Sequence, residues 1–193
     1  MHQHENREDT MFISKAKTGD KEAFESLVRK YQKPIYYLCY RMTGAHQSAD
    51  DLSQDTFVKA YFSLQSFNEG MNFFSWIRKI AVNTTLNFLK KWKKEIPMGE
   101  KEMRVANKQG APAYDSPHDS LQRKQFEEKF KKALSNLPDD QRVIFVLKVY
   151  ESQSYQQIAR IMNIPHGTVM SRLSRARQKL KNEMAEYLQG GIR

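Results

Sequence analysis

Three sets of polar side chains in this sequence recur at helical spacing. Thr168, Ser171, Arg172, Arg175 and Lys179 follow one another at +3, +1, +3 and +4. At about 100° per residue they share one stripe, about a quarter-turn from an apolar stripe of Val169, Leu173, Ala176, Leu180 and Met184. Between Pro165 and Lys181 there are five lysines and arginines and no acid. Arginine can pair bidentately with guanine, and serine or threonine can bond a base edge or a phosphate. The stripe therefore has the chemistry of a helix lying in a major groove. The plainer reading is a solvated basic face. A membrane-surface helix is a third, but the apolar stripe offers no exposed aromatic anchor for it.

The second set is Trp76, Lys79, Asn83, Asn87 and Lys90, at +3, +4, +4 and +3. Tryptophan can stack on a base, asparagine can bond base edges and lysine can meet phosphate. The segment ends in Lys90-Lys91-Trp92-Lys93-Lys94. Phe73, Ile77, Ile80, Ala81, Thr84 and Phe88 form its expected core stripe. Before it, the loop from Phe67 to Asn72 carries Asn68, Glu69 and Asn72, polar groups able to line a pocket for an unstacked base. The third set is acidic: Asp50, Asp51, Gln54 and Asp55 on one side of a helix, with Phe57, Ala60, Tyr61 and Leu64 on another. In a basic chain such a patch suits docking to a basic protein surface. Support of the helix dipole by first-turn acids is the plainer reading.

These sets need helices to hold them, and the composition supplies helices. In 193 residues there are only eight glycines and six prolines. So few turn-formers argue against a sandwich or barrel of short strands. Helical periodicity runs almost throughout. Thr10 to Thr18 reads as a short helix ended by Gly19, and Asp20 as the N-cap of a long helix stopping near Gly44. Ser48, with Asp51 as its capping-box partner, is expected to open the next, running to about Ser66. A fourth follows from Asn72 to about Lys94. Pro97, Gly99, Gly110, Pro112 and Pro117 then punctuate a stretch with few large apolar residues, the mark of a flexible linker.

Helical pattern returns with Phe126, Phe130, Leu134 and Leu137. Pro138, near the first helical position, and Asp139-Asp140 restart a helix whose core face is Val143, Ile144, Leu147 and Val149. Ser154 and Gln157 have the form of a capping box opening a helix with Ile158, Ala159 and Met162 on one side. Asn163-Ile164-Pro165 breaks it, and Gly167-Thr168 begins another, with Thr168 able to cap. A short helix, a tight break and a second helix is the helix-turn-helix pattern. The expected fold is thus all-α: a short N-terminal extension and helix (1–19), a helical domain (20–94), a linker (95–118) and a helix-turn-helix domain (119–193).

The net charge is +10, which favours a polyanionic partner. The one cysteine, Cys39, excludes an internal disulfide and lacks companions for a zinc ribbon; a small buried side chain is the expected role. No segment has the roughly 18 apolar residues of a membrane helix, and Met1 to Thr10 lacks the apolar core of a signal peptide, so a cytoplasmic protein without direct membrane insertion is expected. The five histidines are scattered and no nuclease, hydrolase or phosphate-loop motif is present. No enzyme, metal or cofactor is therefore expected.

Taken together, these residues resemble bacterial sigma-70-type initiation factors of the extracytoplasmic-function group, over about 20–94 and 120–185. Ala49-Asp50-Asp51-Leu52-Ser53-Gln54-Asp55-Thr56-Phe57 looks like the region that binds the clamp helices of core RNA polymerase. Phe74-Ser75-Trp76-Ile77-Arg78-Lys79-Ile80-Ala81-Val82-Asn83 looks like the helix that melts and reads the −10 element. Leu137-Pro138-Asp139-Asp140-Gln141-Arg142 and Ile164-Pro165-His166-Gly167-Thr168-Val169 look like the −35-reading domain.

The resemblance implies that Asp50, Asp51, Gln54 and Asp55 contact polymerase. It implies single-stranded −10 contacts by Asn83 with Trp76 and Asn87, and a base extruded beside Phe67, Asn68 and Asn72. Lys79, Lys90 and Lys91 would hold backbone. Pro165, His166, Gly167, Thr168, Ser171, Arg172, Arg175 and Lys179 would meet the −35 duplex. Promoter DNA, core RNA polymerase and an anti-sigma factor are the implied partners. Many members carry Asp where this chain has Asn87 and a basic residue where it has Met170, two departures that bear on promoter preference. The competing reading, a stand-alone helix-turn-helix regulator, explains 137–185 and leaves the acidic patch and the Trp76–Asn83 stripe unused.

Overall fold

A computed structural model describes residues 2–68, 70–95 and 117–185 of the chain, without the side chains at the outer ends of these segments. Eight α-helices and no strand occur among the described residues. They divide into two compact units that part at Lys93–Lys94.

The first unit contains α1 (His2–Lys17), α2 (Lys21–Thr43), α3 (His46–Ser63), a 3-10 turn (Leu64–Ser66) and α4 (Phe73–Glu95). Asp20 caps α2 as expected, its carboxylate accepting from the Ala23 amide at 3.0 Å. At the other end Gly44 takes the left-handed conformation (φ 75°) that a side chain would resist. Pro34 lies inside α2. It withholds a backbone donor, at a cost of about 3 kcal/mol. Ile35, Leu38, Cys39 and Met42 are all fully buried just beyond it. At about 1.5–3 kcal/mol for each large apolar side chain, their burial outweighs the break and carries the helix through. Ala49, Leu52 and Ala60 of α3 and Phe73, Ile77, Ala81 and Val82 of α4 complete this core. Cys39 has the expected structural role: the Thr85 hydroxyl lies 3.6 Å from its sulfur, and burial pushes its thiol up to about 11.

The second unit contains α5 (Pro117–Ser135), α6 (Asp139–Val149), α7 (Tyr155–Met162) and α8 (His166–Glu183). In α6 six consecutive residues, Arg142 to Leu147, are buried, because α7 and α8 both pack against it. Arg142 is tolerated there because its guanidinium bonds the Ser135 carbonyl at 2.9 Å and Asp139 at 2.8 Å. Burial lowers its pKa, and Asp139 works against that. The Ser154–Gln157 capping box forms in both directions, at 3.2 and 2.7 Å. Asn163 then adopts left-handed geometry (φ 52°), and one turn later α8 starts. Its expected core stripe, from Val169 to Met184, is buried throughout.

Several boundaries differ from expectation. The first helix starts at His2 rather than Thr10. The third starts at His46, with Ala45 as its N-cap, so Ser48 and Asp51 form no capping box. His46 is claimed by α2 instead, stacking on Tyr40 (4.3 Å between centroids) and sharing a hydrogen bond with the Tyr36 hydroxyl. Pro138 is the N-cap of α6 rather than its first residue, and Val149 is 48% exposed at the helix end rather than core. Thr168 does not cap α8: Pro165 is the N-cap and Thr168 sits in the first turn. Ile80 and Phe88 are half-buried, while Val82, Thr85 and Leu89 are buried. Most of the expected linker lies outside the described residues.

Candidate macromolecular interfaces

The acidic set lies on the outer face of α3. Asp50, Asp51, Gln54 and Asp55 are all exposed, while Leu52, Ser53, Thr56 and Phe57 beneath them are buried. Because α3 starts at His46, Asp50 and Asp51 fall in its second turn, and the first turn holds no acid. A helix dipole acts on charge within its first turn, so dipole support no longer accounts for these carboxylates. Among the described residues none of the three forms an ion pair with a basic side chain. Burial, and then the charge of Asp50, raise the pKa of the Tyr36 phenol. The face continues beyond the acids: Val58 is 54% and Phe62 80% exposed, extending the row from Asp51 and Asp55 at +3 and +4. The sequence reading missed these two, although the same helical period contains them.

The aromatic and amide set lies on α4. Asn72 caps this helix, its side-chain oxygen accepting from the Ser75 amide at 2.9 Å. Asn68 closes the loop, accepting from the Gly70 amide at 2.9 Å through its side chain and from Met71 at 2.9 Å through its carbonyl. A Cβ at Gly70 would stand 3.3 Å from that side-chain oxygen, so a side chain there would need the Asn68 amide to give by a few tenths of an ångström. Glu69 lies outside the described residues. Lys79, Asn83, Asn87, Lys90 and Lys91 are exposed. Two expected residues are held differently. Phe67 is only 3% exposed, packed edge-to-face against Phe73 and Trp76 at 5.7 and 5.1 Å. It is therefore a core residue under the loop rather than a surface for a base. Trp76 is half-buried, with one part of its ring committed to that cluster.

The basic set lies on α8. Pro165, His166, Gly167, Ser171, Arg175 and Lys179 are exposed, and Thr168 and Arg172 are half-buried. Arg172 is pinned from α6: its Nε lies 3.1 Å from an Asp140 carboxylate oxygen. The Ser171 hydroxyl bonds the Thr168 carbonyl at 3.1 Å, and Lys179 reaches the Asn136 carbonyl at 2.7 Å. Lys179 is thus partly spent on closing the α5 end, whereas Arg175 projects without such a tie. His166 packs edge-to-face on Tyr155 at 5.8 Å, fixing the start of α8 against the start of α7. Met170 is half-exposed on a different face of α8 from the basic stripe.

Among the described residues no cluster of His, Cys, Asp or Glu could hold a metal, and no helix is long and apolar enough to cross a membrane. Fold and surfaces define a two-domain, all-helical binding protein with a helix-turn-helix. Comparison with known proteins gives its family. Sigma-70 region 2 matches residues 27–95 and sigma-70 region 4 matches 127–180. The chain is 32% identical over 181 residues to the extracytoplasmic-function RNA polymerase sigma factor SigW of Bacillus subtilis, covering 90% of this chain and 95% of that protein. It is also 32% identical to the RNA polymerase sigma-H factor of Pseudomonas aeruginosa, over 94% of this chain and 96% of that one. The sigma factor RpoE of Bartonella quintana, solved in complex with the anti-sigma factor NepR, matches with a TM-score of 0.63 at 27% identity, over 84% of this chain and 96% of that one. The chain belongs to the sigma-70 family of RNA polymerase sigma factors, in the extracytoplasmic-function group. It is a transcription initiation factor that binds core RNA polymerase and promoter DNA, and it is not an enzyme.

Proposed function

We propose that the three surfaces divide the work of initiation. The exposed acids Asp50, Asp51 and Asp55, with Gln54, dock a basic surface of core polymerase, and Val58 and Phe62 extend that contact. What carries this assignment is the placement of the acids in the second turn of α3, exposed and, among the described residues, paired with no basic side chain. The column Lys79, Asn83, Asn87 and Lys90 on α4, with Lys91 at its end, tracks the non-template strand of the −10 region. The loop containing Asn68 and Asn72 borders the extruded base, and Trp76 offers its uncommitted part for stacking. Pro165, His166, Gly167, Thr168, Ser171, Arg172, Arg175 and Lys179 meet the −35 duplex. The region 2-like part spans 20–94, with α1 packed on it, and the region 4-like part 119–193, the two joined by 95–118.

No covalent chemistry is involved. Contact with the −35 duplex positions the complex, and capture of unstacked bases offsets an unpairing cost of a few kcal/mol per base. Two modest sites joined in one chain gain from linked engagement, which is why polymerase, holding both, is needed. The protein acts in the cytoplasm, where its polymerase is. An anti-sigma factor that covers the polymerase-binding surface holds it inactive, a reading supported by the complex in which the Bartonella relative was solved.

The deciding experiment is run-off transcription by core polymerase plus the purified chain on a genomic promoter library, with duplex binding by the chain alone recorded alongside. Polymerase-dependent transcripts that share −35 and −10 sequences are expected. Tight sequence-specific duplex binding with no transcript would overturn the division of roles.

A further inference from the structure

The loop proposed to border the extruded base is tied to α1 directly at its incoming end and through Tyr31 of α2 at its outgoing end. At its incoming end, the Lys17 ammonium donates to the Phe67 carbonyl at 2.8 Å and stands 6.0 Å from the centre of the Phe67 ring. The Lys17 carbonyl accepts in turn from the Gln65 side-chain amide at 2.7 Å. The last carbonyls of a helix have no partner within it, so this bond satisfies an acceptor that would otherwise face water. One residue thus uses both its backbone and its side chain to hold a turn fifty positions away. At the outgoing end, Asp9, only 2% exposed, accepts from Lys30 at 2.6 Å and from the Tyr31 hydroxyl. The Tyr31 ring stacks on Phe74 at 5.2 Å, 11° from parallel, in the first turn of α4.

We propose that α1 is the positioning element of the 68–72 loop, with Lys17 fixing its incoming end and Asp9, through Tyr31, its outgoing end. α1 then governs which −10 base is accepted without touching DNA. Its packing alone would not need these bonds: Ile13 and Ala16 already bury its apolar side. The polar ties instead converge on the two flanks of one loop. The proposal rests on the reading that this loop handles a −10 base.

The test uses the full chain with core polymerase. Single-stranded oligonucleotides carrying the −10 sequence of a promoter the protein transcribes, and each point-substituted version, compete for binding. Core affinity and −35 duplex binding are measured in parallel. Lys17→Met keeps most of the apolar stem of the side chain and removes its charge and donor. It is expected to reduce discrimination at one −10 position roughly tenfold, the scale of one charge-assisted hydrogen bond, with core and −35 binding unchanged. Lys17→Arg restores most of it. Tyr31→Phe, which keeps the stacking ring and drops the hydroxyl, shifts the same position in the same direction by about threefold. Unchanged discrimination in Lys17→Met, alongside loss in Asn83→Ala, would overturn the proposal and leave the −10 reading standing. Unchanged discrimination in Asn68→Ala and Asn83→Ala as well would overturn that reading and the proposal with it.

Discussion

Arg172 on the recognition helix α8 and Asp140 at the start of α6 meet at 3.1 Å, with side chains 31% and 39% exposed. A pair this wet contributes about 0–1 kcal/mol to stability, too little to explain it as a staple. Its consequence is directional. It holds the Arg172 guanidinium towards α6, and under the proposed −35 contact it would place a carboxylate beside the groove-facing stripe. Arg172→Ala is expected to cost about 1–3 kcal/mol at one −35 base pair. Asp140→Asn is expected to relax selection at that same base pair while raising affinity for unrelated duplex. Binding of a −35 substitution series across a salt titration checks this. An Asp140→Asn protein that lost thermal stability but kept its base preferences would reduce the pair to a structural contact.

Arg175 projects without the tie that holds Arg172, so it is expected to behave as a phosphate contact. Arg175→Ala should weaken binding to all duplexes alike and lower the salt slope of log K by about one. Weakening confined to one base pair would instead make Arg175 a base reader.

Replacing Asp50, Asp51 and Asp55 together by alanine is expected to abolish binding to core polymerase while moving stability by no more than about 0.5 kcal/mol per site, because the three are exposed and, among the described residues, unpaired with any basic side chain. Phe62→Ser should weaken the same binding without unfolding, since its ring is 80% exposed. Titration of labelled protein with core polymerase, with thermal melts of each variant, separates docking from folding. Full polymerase affinity in the triple variant would move the docking face elsewhere.

Core substitutions should behave in the opposite way. Ile77, in the second turn of α4, and Leu173, near the middle of α8, are buried. Ile77→Ala and Leu173→Ala are each expected to cost about 2–5 kcal/mol, enough to unfold much of a small helical unit. The Ser154 cap is worth less, and Ser154→Ala should cost about 1 kcal/mol. Urea denaturation followed by circular dichroism measures all three.

Cys39 gives a pH prediction. Its thiol is raised from 9.0 to about 11, with burial as the main cause. The folded state therefore prefers the protonated form more than the unfolded chain does. Its contribution to stability is complete below the unfolded value, near 9, and is lost as pH climbs towards 11. At pH 8 iodoacetamide should leave Cys39 unmodified in the native protein and label it once denatured, as mass spectrometry would record. Rapid native labelling would place the thiol at the surface.

The sequence by itself determined the architecture and most of what each helix shows to solvent. Helical spacing is a local property, so the α8 core stripe from Val169 to Met184 and the exposed column Lys79, Asn83 and Asn87 were legible from periodicity alone. Caps made by a side chain two or three residues away, at Asp20 and Ser154, were equally readable. What only the tertiary structure decided is which competing local option wins and which distant residues meet. Ser48 and Asp51 had the form of a cap, but contacts with Tyr36 and Tyr40 of α2 drew His46 into the helix first. Phe67 looked available to a base, yet Phe73 and Trp76 bury it from the far side of the loop. The pairing of Arg172 with Asp140 and the hold of Lys17 on Phe67 span 32 and 50 positions. No period in the sequence encodes such contacts, because they exist only once helices have packed and brought those side chains within hydrogen-bond reach.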